Sequence, residues 1–193
     1  FGAYLATGVT YYSPRWYAML GYGDRQFPMT FEAWKGLCHP DDVQPTIDRI
    51  QAALVDPAGT GYEAEFRMRA HDGAWLWILG RGNVVVRDAQ GRPLVLSGTN
   101  TDITARKQAE TALREGRELL HGVIEGTDDC IFVKDHEGRC ILHNAALSRF
   151  FQELLGDRYP ADGILGKRDG DYLPAVVAAR LAADDAQILR VGE

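Results

Sequence analysis

Between Gly61 and Thr101 the sequence changes character at almost every residue. Tyr62, Ala64, Phe66 and Met68 alternate with Glu63, Glu65, Arg67 and Arg69, the pattern of a strand with one buried face. His71-Asp72-Gly73 follows, and its Asp-Gly pair supplies the positive-φ residue of a hairpin turn. Trp75, Trp77 and Leu79 continue the alternation on the returning strand, which Val84-Val85-Val86 extends past Gly80-Arg81-Gly82. A second turn, residues 87–93, precedes a last strand over 94–101. Three long strands joined by short turns make an antiparallel sheet.

Upstream, two short strand-like runs, 1–6 and 9–12, turn at Thr7-Gly8. Ser13-Pro14 reads as a helix start, and Gly21-Tyr22-Gly23 as its stop. A second short helix from Thr30 carries Phe31, Trp34 and Leu37 on one face. Pro40 with Asp41 and Asp42 opens a third, because acidic groups in a first turn meet the positive end of the helix dipole. Residues 1–104 thus read as one small α+β domain with a five-stranded antiparallel sheet and short helices on one face.

The strand pattern ends at Thr99-Asn100-Thr101-Asp102-Ile103-Thr104, and a charged helix begins. Ala105, Ala109, Ala112, Gly116, Leu119 and Val123 recur at a four-three spacing, which lays one narrow seam along it. Asp102 and Thr104 can cap its start, and Gly126 fits its end. About 21 helical residues make a rod of roughly 30 Å, a linker over 105–126. After it the early order begins again. Two short strands turn at His136-Glu137-Gly138, and Asn144 caps a helix carrying Leu147, Phe150 and Phe151, where Ser13 stood in the first copy. The offset is about 131 residues. A longer helix follows Pro174, with Val177, Leu181 and Ile188 at helical spacing. The second unit, 127–193, has no counterpart to the three long strands, so it reads as the N-terminal part of a domain.

Composition narrows the function classes. A formal net charge of -6 argues against a surface for nucleic acid or an anionic membrane, since either would need a basic face. No run approaches 18 apolar residues and no leader opens the chain, so it reads as cytoplasmic. Three cysteines, Cys38, Cys130 and Cys140, lack CxxC spacing, which fits a reducing compartment. The five histidines do not cluster with cysteines at zinc spacing, and no metal site is expected. Gly80-Arg81-Gly82 lies in a strand without the helix that a phosphate-cradling loop must open. His121 lacks an arranged acidic neighbour, and the acid pairs Asp41-Asp42 and Asp128-Asp129 read as helix-start and loop residues. No catalytic residue is expected in this segment.

Tyr12-Ser13-Pro14-Arg15-Trp16, Leu20-Gly21-Tyr22, His39-Pro40-Asp41-Asp42 and Gly98-Thr99-Asn100-Thr101-Asp102-Ile103-Thr104, followed by Lys107 and Glu110, resemble a PAS domain with its C-terminal PAC motif over most of residues 1–125. Phe132-Val133-Lys134-Asp135, Gly138-Arg139, Asn144, Gly166-Lys167 and Asp171 with Leu173-Pro174 resemble the first half of a second such domain. The resemblance implies a sensory or dimerising module of the kind found in tandem in bacterial sensor kinases and diguanylate cyclases. Asp102, Ile103 and Thr104 would couple the last strand to an output helix, and the linker would support a parallel homodimer. It also implies a small-molecule space between sheet and helices. Alternation assigns Phe66, Trp75, Trp77, Leu79, Leu96 and Thr99 to that space, with Trp16 and Trp34 from the helices. The ligand is unknown. The cysteine contexts argue against photosensory flavin, and the lack of histidine over 43–56 argues against haem. The full-length protein would then carry a histidine kinase or diguanylate cyclase output domain. A ligand-free interaction and dimerisation scaffold is the alternative.

Overall fold

The computed structural model describes residues 1–28, 30–56 and 58–191, with the side chains of the last helix described as far as residue 187. Ile188, part of the helical spacing above, lies outside the described side chains. The chain divides into two compact units, Phe1–Ala112 and Leu113–Glu193.

The first unit opens with a hairpin of β1 (Gly2–Tyr4) and β2 (Val9–Tyr11). Three helices follow: α1 (Pro14–Met19), α2 (Phe31–Leu37) and α3 (Pro40–Val55). The Thr30 hydroxyl accepts from the Ala33 N–H at 3.1 Å and starts α2. His39 Nδ1 accepts from the Asp41 N–H at 3.3 Å, with Pro40 at the first helical position of α3. The meander β3 (Tyr62–Arg69), β4 (Trp75–Arg87) and β5 (Pro93–Asp102) completes an antiparallel sheet of order β2-β1-β5-β4-β3. Gly73, at φ 89°, makes the β3–β4 turn that Asp72-Gly73 announces.

Register decides which residues face the helices. Ala64 pairs with Gly80, Phe66 with Ile78 and Met68 with Leu76, and Gly82 lies opposite Gly98 on β5. Directly paired residues share a face. The inner face is therefore Tyr62, Ala64, Phe66 and Met68 on β3, Leu76, Ile78, Gly80 and Gly82 on β4, and Leu96, Gly98 and Asn100 on β5. Phe66, Met68 and Ile78 are fully buried there with Leu20, beside Trp16 and Trp34. Each such side chain contributes about 1.5–3 kcal/mol relative to exposure.

This register corrects four expectations. Trp75, Trp77 and Leu79 pair with Arg69, Arg67 and Glu65 on the outer face, and Thr99 pairs with Arg81 there. The inner phase of β4 belongs to Leu76 and Ile78 and then to two glycines. Large aromatic residues on the opposite phase therefore gave the stronger pattern. Trp77 tolerates its outer position because two cations cover its ring: Arg67 at 5.3 Å and Lys107 at 5.2 Å from the centroid.

Helix α4 (Thr104–Glu125) begins in the first unit and continues into the second. None of its residues is buried, and Leu113, Leu119, Leu120 and Val123 are exposed apolar groups.

The second unit holds a hairpin of β6 (Phe132–Lys134) and β7 (Cys140–His143), then α5 (Ala145–Leu155) and α6 (Ala175–Val191), with short 3-10 turns at 156–158 and 169–171. Asn144 anchors it. Its side chain accepts from the N–H groups of Ile131 and Leu147, both at 3.1 Å, and donates to the carbonyls of Ile124 at 3.0 Å and Asp129 at 2.7 Å. A residue that caps α5 thus also closes the turn between α4 and β6. Cys38 and Cys140 are buried and Cys130 is exposed, all three as free thiols.

Candidate functional site

A cavity of about 260 Å³ lies between the inner face of the first unit's sheet and its helices. Ala3, Phe66, Leu96 and Asn100 form the sheet wall, Phe31 and Trp34 come from α2, and Ile47, Ile50 and Leu54 from α3. Tyr12 and Tyr62 also line the cavity. Glycines shape the sheet wall. The Phe66 ring occupies the place of a Cβ on Gly80, and the Tyr62 ring that of a Cβ on Gly82, at 2.8 and 2.5 Å from those positions. Both rings lie on the backbone for want of a side chain beneath.

Of the residues expected at this space, Trp34, Phe66 and Leu96 line it. Trp16 is buried in the adjoining core and borders an open cleft between α1 and the end of β5, which Thr99 also borders. With the Asn100 amide turned to satisfy both its ends, its oxygen accepts from Trp16 Nε1 at 3.0 Å and its nitrogen donates to the Thr99 carbonyl at 3.1 Å. Asn100 therefore joins cavity wall and core, a role its place in a polar run did not announce.

The junction of β5 and α4 is tied to β4 by backbone. The Ile103 N–H donates to the Trp77 carbonyl at 2.8 Å, and the Thr104 hydroxyl accepts from the Trp77 N–H at 2.9 Å. Asp102 accepts from the Thr104 N–H at 2.8 Å. Thr104 thus commits its hydroxyl to the sheet while Asp102 serves the helix start. Glu65 adds a second tie, to Arg106 and Lys107 at 2.5 Å each. Lys107 first and then Arg106 hold the Glu65 carboxyl below its usual range.

On α3, Asp42 meets Arg67 in a bidentate pair. The Arg67 N–H, Nε and one terminal nitrogen all donate to it at 2.8 Å, and these bonds hold its carboxyl below the usual range. Asp42, Arg67, Trp77, Lys107 and Glu65 form one chain of contacts from α3, which lines the cavity, to the first turn of α4.

In the second unit Lys134 Nζ donates to Asp169 at 2.6 Å and Asp185 at 2.7 Å. Burial pulls the ammonium down, but the two carboxylates outweigh it and its pKa is raised. Tyr172 donates to the second oxygen of Asp169 at 2.9 Å. The sequence spacing of these groups hides the cluster. Among the described residues no group of three or more His, Cys, Asp or Glu is placed to hold a metal, and no helix is long and apolar enough to cross a membrane.

Two family models, each described as PAS fold, match the chain, one over residues 9–100 and the other over 124–193. The methanogenesis regulatory histidine kinase FilI of Methanothrix harundinacea is 37% identical over 67 residues, 35% of this chain and 7% of that protein. The virulence sensor protein BvgS of Bordetella pertussis is 40% identical over 65 residues, 34% of this chain and 5% of that protein. The matched segment is thus a small part of each relative. A sensory box histidine kinase/response regulator structure from Burkholderia thailandensis superposes with a TM-score of 0.53 at 32% identity, covering 62% of this chain and 86% of that one. The chain belongs to the PAS family and carries two PAS-fold units in tandem, the first with a five-stranded sheet and the second, among its described residues, with two strands.

Proposed function

We propose that this chain is the input and relay segment of a signalling protein whose output domain is of the histidine kinase or diguanylate cyclase type. A small molecule in the first unit's cavity alters the packing of α3 and β5, and Asp102, Ile103 and Thr104 carry the change into α4. The observation that supports this best is the paired bonding of Ile103 and Thr104 to Trp77, since movement of β4 or β5 must strain the helix start. Helix α4 works as a parallel homodimer. Its Ala105, Ala109, Ala112, Gly116, Leu119 and Val123 seam is thin, which keeps two packings close in energy. The segment itself performs no chemistry.

The test is a fusion of the chain to a histidine kinase transmitter, with autophosphorylation read for the parent, Ala3→Leu and Thr104→Val. Ala3→Leu fills the cavity and is expected to fix the output at one level, and Thr104→Val to make the output indifferent to Ala3→Leu. Equal output from all fusions refutes the relay and leaves a ligand-free dimerisation scaffold.

A further inference from the structure

The first unit's cavity has a composition that selects among ligands. Its volume of about 260 Å³ lies below the roughly 300–1,000 Å³ of sites for drug-sized ligands and above the ~150 Å³ that accepts benzene. The space holds one substituted ring. Among the described residues no Asp, Glu, Lys, Arg or His lines it, so an ion entering would lose its hydration without a side-chain counter-charge. The ring faces that would otherwise attract a cation are partly engaged with each other: Phe31 stacks on Trp34 at 5.7 Å and Phe1 on Tyr12 at 5.7 Å.

Of the polar residues that line the cavity, the Thr46 hydroxyl donates to the Asp42 carbonyl at 2.7 Å and the turned Asn100 amide is paired at both ends, while two others are phenols. The phenols of Tyr12 and Tyr62 make no hydrogen bond to any described residue, whereas Tyr17, in the core beside them, donates to the Phe27 carbonyl at 3.0 Å. Among the described residues no buried polar side-chain atom lacks a partner, so these two phenol oxygens open onto accessible space. Both residues line the cavity, and Tyr62 also borders a shallow cleft beside Gly61 and Arg81. Burial raises both pKa values, which keeps the phenols protonated and able to donate. A ligand acceptor here would gain donors that the protein has left unused.

We propose that the first unit's cavity binds a neutral monocyclic aromatic molecule carrying one hydrogen-bond acceptor, which Tyr12 and Tyr62 recognise. This rests on the reading of that cavity as the sensory input.

The test titrates the isotopically labelled full chain with four probes of similar size, followed by amide chemical shifts. Acetophenone is neutral with an acceptor, cumene neutral without one, benzoate anionic and benzylammonium cationic. Acetophenone is expected to saturate with shifts at Ala3 and Leu96, and both ions to bind at least about tenfold more weakly. In the Tyr12→Phe/Tyr62→Phe variant the preference for acetophenone over cumene is expected to fall about fivefold, while cumene binding holds and shows the cavity intact. An ion matching acetophenone, equal binding of acetophenone and cumene by the parent, or no saturable binding overturns the proposal. If acetophenone fails while Ala3→Leu still fixes the kinase fusion's output, the ligand class falls and the relay stands. If both fail, both readings fall.

Discussion

Replacing Asp42 by Asn tests the tie between the cavity-lining helix and the sheet. The Asp42 side chain is 16% exposed and that of Arg67 is 27% exposed, so the pair is shielded without being sealed. Removing one partner of a fully buried pair costs about 3–5 kcal/mol. Partial solvent access reduces this, and asparagine keeps one acceptor, so the expected loss is about 2 kcal/mol. With a urea slope of about 1.3 kcal/mol/M for a domain of this size, the midpoint falls by about 1.5 M. Tryptophan emission reads the first unit selectively, because all four tryptophans, Trp16, Trp34, Trp75 and Trp77, lie within it. The folded carboxyl titrates below its unfolded value near 3.9, so its contribution is complete above about pH 5 and is lost as the pH falls through the lowered folded value. The Asp42→Asn variant lacks this dependence, and the two midpoints converge in acid. A midpoint difference under about 0.3 M at neutral pH, or one that stays constant from about pH 5 to pH 2.5, refutes the assignment.

Thr104→Val leaves the Trp77 N–H without its partner, and hydrogen exchange at that amide is expected to accelerate about tenfold. Asn144→Ala removes four bonds from a side chain that is 1% exposed; a cost of at least about 3 kcal/mol is expected to melt the second unit, seen as lost amide dispersion with unchanged tryptophan emission. Gly98→Ala would drive a Cβ into the Arg81 carbonyl oxygen and place it 2.7 Å from Gly82 Cα, both backbone, and is expected to prevent the first unit from folding, which tryptophan emission would report.

Where the sequence betrayed the structure, one residue type and one period agreed. On β3 the apolar residues and the buried phase coincide, so Phe66 was placed from its own strand. On β4 the buried phase passes through Gly80 and Gly82, which carry no hydropathy signal, while Trp75 and Trp77 mark the opposite face. The cues for α3 and α4 are local, a proline with two acids and a threonine-rich junction, and both helices begin there. The contacts of Arg67 and Lys107 with Trp77, and of Lys134 with Asp169 and Asp185, join residues distant in the chain. No periodicity records them, because they depend on register and packing.

The glycines under the cavity also set how this unit can diversify. Where Phe66 and Tyr62 rest on Gly80 and Gly82, the sheet offers a ligand little besides peptide groups and rings pressed against them, and strand pairing fixes both. Adding a side chain at Gly80 or Gly82 endangers the fold before it changes selectivity. The opposite wall carries no such penalty: Ile47, Ile50 and Leu54 sit on one helix whose anchor, Asp42, lies a turn or more away. New ligand preferences are therefore easiest to reach from α3, and a mutant library aimed at those three positions samples specificity while leaving the sheet and its link to the helix unaltered.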